Sequence, residues 1–294
     1  MKTNRYLLLL SLLLLGSCGT TPSISENTST SASDLTSDLT SALPSEVTSV
    51  VTSEEPSISE QPSTSVSSGP ILFNGYYTNV DLNLEGTALL NALKARVNLN
   101  FMSDSYGGAW NSIKVGDEDV NNSSNIIQIY SRFTRPKSEQ NAGSGTDNWN
   151  REHVVPQSKM GCNTSTNGPC TDYNNLFASD TKVNADRGNL PFGKLTSGTF
   201  IKDSKGRETP ARKNSVFDPG SEARGEVARA TLYMVIKWNF NVNVNGNLDT
   251  LLEWNREYPP TEAREIKRND AVQRYQNNRN PFIDYPYLAD AIWA

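Results

Sequence analysis

Between Gly19 and Pro70 the chain has almost nothing to build a core from. Of these 52 residues 25 are Ser or Thr, none is aromatic, and large apolar side chains are few. Such a segment cannot bury enough apolar surface to offset the entropy of ordering it. It reads as a disordered, mildly acidic linker spanning residues 18–70, so any fold must come from residues 71–294. That length suits one domain of mixed helix and strand, an α+β fold.

The linker follows a leader. Met1 to Arg5 is basic and Tyr6 to Leu15 is a short, mostly Leu stretch. It is too short to span a bilayer and reads as a signal peptide over residues 1–17. Leu15-Gly16-Ser17-Cys18 resembles a bacterial lipobox, which implies cleavage before Cys18 and lipidation of its sulfur. Two acyl chains there would anchor the protein to the outer face of the cell membrane, from which it could also be shed. The leader and linker also distort the charge balance. The chain carries 27 basic and 32 acidic residues, of which 2 and 7 precede residue 71, leaving 25 of each beyond it. No global basic field advertises a polyanionic partner, and any phosphate-binding surface must be local. Cys162 and Cys170 flank a polar loop, and outside the cytoplasm such a pair is expected to form a disulfide.

Apolar spacing predicts a helix over Ala88 to Phe101 and a buried strand over Ile126 to Tyr130. It predicts a strand over Arg151 to Val155 stopped by Pro156, and a short strand over Leu176 to Ala178. Asp180 can cap a helix from Thr181 to Arg187 that Gly188 ends. Further helices are expected over Glu222 to Trp238, with Val227, Ala230, Leu232, Tyr233, Val235 and Ile236 for the core, and over Thr261 to Gln276. The order in the middle of the chain is therefore strand, cysteine loop, strand, helix.

His153 is the only histidine. A zinc protease needing two histidines on one helix is excluded, as is a three-histidine metal site. What survives is chemistry built on one imidazole, a neighbouring carboxylate and a hard cation, which points to phosphodiester hydrolysis. That reaction needs a base for water, a cation for the phosphoryl charge and positive groups for flanking phosphates. His153 is a suitable base, Glu152 a hard oxygen ligand, Asn184 a second, neutral one, and Arg187 lies one helical turn from Asn184. Neighbours on a regular strand face opposite sides, so Glu152 and His153 share a site only if the strand twists or ends there.

Four ordered blocks carry a resemblance. Glu152-His153-Val154-Val155-Pro156-Gln157-Ser158 fits a Glu-His-x-x-Pro-x-Ser hallmark, and Asp180 to Gly193 fits an Asp-x-x-x-Asn-x-x-Arg-Gly-Asn run. Arg224 to Met234 resembles the helix after the site, and Gln276 to Pro286 a closing motif. Together they resemble the endonuclease I family of bacterial secreted nucleases, within the ββα-metal (His-Me finger) superfamily. The resemblance implies a ββα core with surrounding helices, His153 as general base, and Glu152 and Asn184 as ligands of one Mg²⁺, with Ca²⁺ or Mn²⁺ as alternatives. It also implies sugar-nonspecific cleavage of DNA and RNA leaving 5′-phosphates. Two departures stand out. Asn174 occupies a place where relatives often carry histidine, and between Val154 and Thr181 the only cation is Lys159, so a transition-state arginine either comes from Arg187 or is missing.

Phosphate contacts are expected from Arg187, Arg229 and Arg279, the last of these within a basic C-terminal group with Arg264, Lys267, Arg268 and Arg274. Against this, Glu226 lies three residues from Arg229, a spacing that also makes a solvated ion-pair face. The five tryptophans are expected to be core or packing residues. The leading reading is a monomeric, lipid-anchored nuclease that meets nucleic acid through its phosphate backbone. The alternatives are a surface nucleic-acid-binding protein with weak or no catalysis, and a phosphodiesterase of small substrates.

Overall fold

The computed structural model describes residues 75–141 and 146–294. The signal peptide, Cys18 and the linker lie outside the described residues. Helix α1 (Gly86–Asn98) and α2 (Ala109–Gly116) precede three short strands, β1 (Glu118–Asp119), β2 (Asn122–Ile127) and β3 (Thr134–Pro136). Strand β4 (Trp149–His153), the short helix α3 (Gln157–Met160), β5 (Leu176–Asp180) and α4 (Thr181–Arg187) follow. Strands β6 (Thr199–Lys202), β7 (Glu208–Lys213) and β8 (Phe217–Asp218) then lead to α5 (Ser221–Trp238) and α6 (Leu248–Glu257). A π-helical turn (Glu262–Ile266) opens into α7 (Lys267–Gln276), and α8 (Pro281–Asp284) and α9 (Leu288–Trp293) close the chain. The strands form three separate antiparallel sheets, β1-β2-β3, β4-β5 and β6-β7-β8. The fold is α+β, and β4, β5 and α4 make the ββα unit in its midst.

That unit divides two apolar clusters. In β5 the side chains alternate across the sheet. Phe177 joins the larger cluster around α1, α5, α6 and α9, while Leu176 and Ala178 join a smaller one with Trp149, Ala109, Ile113 and Val272. Helix α5 is buried along almost its whole length, including all six of its expected core residues, which makes it the post on which the rest is assembled. The start of α4 is set as its sequence foretold. Asp180 accepts hydrogen bonds from the backbone of Lys182 and Val183 at 2.9 and 3.2 Å, and Gly188 turns the chain out at φ 55°.

Several boundaries differ from those read in the sequence: the first helix is Gly86–Asn98, not Ala88 to Phe101, and β5 runs on to Asp180. The strand expected over Ile126 to Tyr130 ends at Ile127, because Arg132 adopts φ 59° and the Arg132 amide bonds the Gln128 carbonyl, reversing the chain toward β3. Ile129 and Tyr130 are buried all the same, held by the Ile129 amide on the Ala178 carbonyl at 2.8 Å. The strand carrying His153 starts two residues early and stops at His153, since Val154 and Val155 give their amides to Asn175 instead of to a partner strand. The helix expected over Thr261 to Gln276 begins as the wide π turn, which brings Arg264 and Glu265 onto α5.

Candidate active site

His153 ends β4 opposite Leu176, with its imidazole 8% exposed. Its Nε2 lies 2.8 Å from the Cys170 carbonyl, which can only accept, so Nε2 carries the proton and Nδ1 the lone pair. The carbonyl is held in place by its own residue: Cys170 is bonded to Cys162, closing the loop as the sequence predicted. The ring of Tyr106 stacks on the imidazole with centroids 5.4 Å apart. Burial pushes the imidazole down from 6.5 to about 4, against the Cys170 hydrogen bond and with help from the Arg151 and Arg187 charges. At neutral pH the ring is uncharged, the form able to take a proton.

Glu152 faces the other side of β4, opposite Phe177. Its carboxylate accepts a 2.7 Å hydrogen bond from the Tyr130 hydroxyl and meets Arg187 at 3.4 Å. Burial raises it from 4.5 to about 7, against the pull of Arg187 and the Tyr130 hydroxyl. Asn150 shares this face by strand alternation, and it ties in Asn184, whose Nδ2 donates to Asn150 Oδ1 at 2.8 Å and to the Arg151 carbonyl at 3.4 Å. With its nitrogen so engaged, Asn184 has Oδ1 as its available ligand atom. Glu152 and Asn184 thus stand on one face of the unit, and His153 sits at the very end of the strand, where it feels the charges of both Arg187 and Arg151.

A carboxylate and an amide oxygen are hard donors, suited to Mg²⁺ that completes its shell with water and phosphate oxygens. Among the described residues no three His, Cys, Asp or Glu side chains gather as a metal cage, so such an ion would rest on these two donors and on substrate. A buried carboxyl that is costly to ionise gains from a cation beside it, and the two residues fit the ion the sequence implied.

The expected cations are placed differently. Arg187 is 1% exposed and enclosed. Its guanidinium donates to the carbonyls of His153, Val154 and Gly188 and to Asn245 Oδ1, besides meeting Glu152. It braces the strand end and the Glu152 carboxylate from inside, and is neither a surface ion pair nor open to a phosphate. Arg229 is equally sealed, gripping Glu265 with Nε and Nη2 and the main chain of Asn255 and Tyr258. Arg279 is held by Asp284 and Asp270 at 2.6 and 2.5 Å. Arg264 pairs with Glu226 and Arg268 with Asp117. The basic C-terminal group is therefore largely an internal network, and the structure brings neither Arg229 nor Arg279 to the ββα unit. Lys159 remains half-buried on α3, where burial and the Arg187 charge lower its pKa. Asn174 is buried against Asn278, fastening the closing motif beneath the site loop.

Sequence reasoning passed over Tyr130, Tyr106, Asn150 and Arg151. Arg151 had a signal: two residues before His153 on a strand, it must share the histidine's face. The aromatic rings come from distant segments and had none. Trp149 and Trp254 lie in the core as expected, but Trp110 is only partly buried and packs against Arg151.

The ββα unit thus holds one neutral imidazole at a strand end and a carboxylate–amide pair between that strand and its helix. Residues 85–287 match the profile of the family described as Endonuclease I, and the chain belongs to that family. It is 36% identical over 230 residues to an extracellular ribonuclease of Bacillus amyloliquefaciens, covering 71% of this chain and 74% of that one. It is 35% identical over 211 residues to an extracellular ribonuclease of Bacillus subtilis (strain 168), covering 64% and 68%. An extracellular deoxyribonuclease of Aeromonas hydrophila is 31% identical over 114 residues, 38% of this chain and 48% of that one. The protein is a nuclease of this family.

Proposed function

We propose that the chain is a divalent-metal-dependent endonuclease that hydrolyses extracellular DNA and RNA without selecting the sugar, with His153 as general base. The observation that carries the reading is the hydrogen bond from His153 Nε2 to the Cys170 carbonyl, which leaves Nδ1 free to take a proton from water. The water oxygen then attacks phosphorus as the bond to the 3′ oxygen breaks, the 3′ oxygen is protonated by solvent, and a 5′-phosphate remains. Tyr130 and Arg187 hold Glu152, and Asn150 orients Asn184, as the residues that would bind Mg²⁺. When bound, that ion neutralises charge on the phosphoryl and leaving oxygens. Relatives named as ribonucleases and as a deoxyribonuclease support a site indifferent to the sugar. Their extracellular names support action outside the cytoplasm, and the lipobox-like Cys18 supports tethering to the outer face of the membrane through residues 18–70.

The purified protein is to be incubated with plasmid DNA and with structured RNA, in Mg²⁺ or EDTA, beside His153→Ala. Metal-dependent cutting of both polymers, lowered by about 10³-fold in His153→Ala, is expected for loss of a general base. Wild-type protein that binds nucleic acid but cuts neither polymer with any divalent metal would replace the nuclease with a capture protein.

A further inference from the structure

A phosphodiester held beside His153 needs a positive group on that side of the strand, and Arg187 is enclosed on the other. Arg151 is on the same face as His153, paired opposite Ala178 in the smaller cluster's side of the sheet. Its guanidinium lies between two rings, 3.4 Å from the Tyr106 centroid and 4.1 Å from that of Trp110. The Tyr106 ring is the one that stacks on His153. One terminal nitrogen, Nη1, donates to the Tyr106 carbonyl. Apart from an interaction of the guanidinium with the Tyr106 hydroxyl, the Nε and Nη2 edge makes no hydrogen bond among the described residues, and neither atom is among those sealed from solvent without a partner.

Arg151, like Arg96, Arg212 and Arg274, has no ion pair among the described residues, whereas Arg132, Arg135, Arg187, Arg224, Arg229, Arg264, Arg268 and Arg279 each meet a carboxylate; of the four, Arg151 alone lies over a ring that also stacks on His153. A half-buried charge with no counter-charge is costly. Stacking on two aromatic faces recovers part of that cost and fixes the plane of the fork, leaving one edge set for a bidentate anion.

We propose that Arg151, clamped between Tyr106 and Trp110, binds the substrate phosphate presented to His153, the part the sequence had given to Arg187. The inference rests on the nuclease reading above and deepens it. Phosphate oxygens supply the missing counter-charge, and the ring clamp holds the guanidinium in place before substrate arrives, so little ordering is left for the moment of binding.

Arg151→Gln and Arg151→Lys are to be compared with wild type in three measurements: thermal unfolding, kcat/KM with Mg²⁺, and DNA binding in EDTA across a KCl series. For Arg151→Gln, kcat/KM falls about 100-fold, the scale for removing one charge-stabilising donor. The slope of log binding constant against log salt becomes shallower by about 0.9, one phosphate contact. Arg151→Lys keeps the wild-type slope, because the charge remains, and loses rate because the fork is gone. An Arg151→Gln protein with wild-type kcat/KM overturns the proposal, and so does one that loses rate while keeping the wild-type salt slope. If Arg151→Gln fails to fold, Arg151→Lys decides: wild-type kcat/KM with the lysine overturns the fork. Wild-type protein that cuts nothing would sink the nuclease reading instead, and the salt slopes, read without metal, would still judge Arg151.

Discussion

The β4–β5 strands and the seam around the Glu262–Ile266 turn both concentrate charge, and they treat it in opposite ways. There Arg132, Arg264, Arg229 and Arg268 each have an acid. Glu226 takes Arg132 at 2.8 Å and Arg264 at 3.1 Å, Arg229 holds Glu265, and Arg268 holds Asp117 at 2.6 Å. On β4 the groups are left at odds with their surroundings: Glu152 is pushed up to about 7, His153 down to about 4, and Arg151 has no acid partner among the described residues. Charge answered from within the chain binds segments together, whereas charge left unanswered marks where something from outside is to be received. The two regions are alike as lists of residues, and only burial and partners separate them.

The comparison breaks most readily at Arg229. Arg229→Met leaves Glu265 buried without its partner, and unfolding by denaturant is expected to show a loss of about 3–5 kcal/mol. The fraction still folded should bind DNA as tightly as wild type, and a weakened affinity there would return Arg229 to the substrate.

Acid should dissolve the seam through Glu226. Burial pulls its carboxyl upward, but the Arg132 and Arg264 charges outweigh it and hold it down to about 2. A carboxyl lowered in the folded state stabilises fully above its ordinary pKa near 4.5, and that contribution is lost as pH falls toward about 2. Thermal unfolding between pH 5 and 2 is expected to show a steeper fall for wild type than for Glu226→Gln, and parallel curves would contradict the assignment.

The smallest effect belongs to Arg279. Arg279→Gln removes charge-assisted bonds to Asp284 and Asp270 near the surface, at a cost of about 1–2 kcal/mol by denaturant titration. Its kcat and KM on plasmid DNA should match wild type, and a raised KM would show that Arg279 reaches substrate after all.

Much of the central unit could be read from the chain. Asp180 and Gly188 mark the two ends of α4 by local chemistry, the cysteines pair across their own loop, and Glu152, His153 and Asn184 lie in short ordered blocks. What escaped was long-range. Arg229 meets Glu265, which is 36 residues away, and Arg268 meets Asp117 from 151 residues away. A sequence shows each charge but not the distant segment that will answer it, so a buried network and a binding track look the same. The wide turn at Glu262–Ile266 has no local signature either, since it is drawn by those same partners. Arg151 was within reach of strand parity alone, and the strand does end at His153, the condition under which Glu152 and His153 can share a site.

The atom that orients His153 is a main-chain oxygen. No replacement at position 170 can delete it, because every amino acid brings a carbonyl of its own. The proton's address on the imidazole is thus written in the route of the loop and not in any side-chain alphabet. The residues between Cys162 and Cys170 are free to be rewritten wherever the disulfide and the route survive, while an insertion that merely reroutes the loop, leaving Glu152, His153 and Asn184 untouched, would turn the base the wrong way.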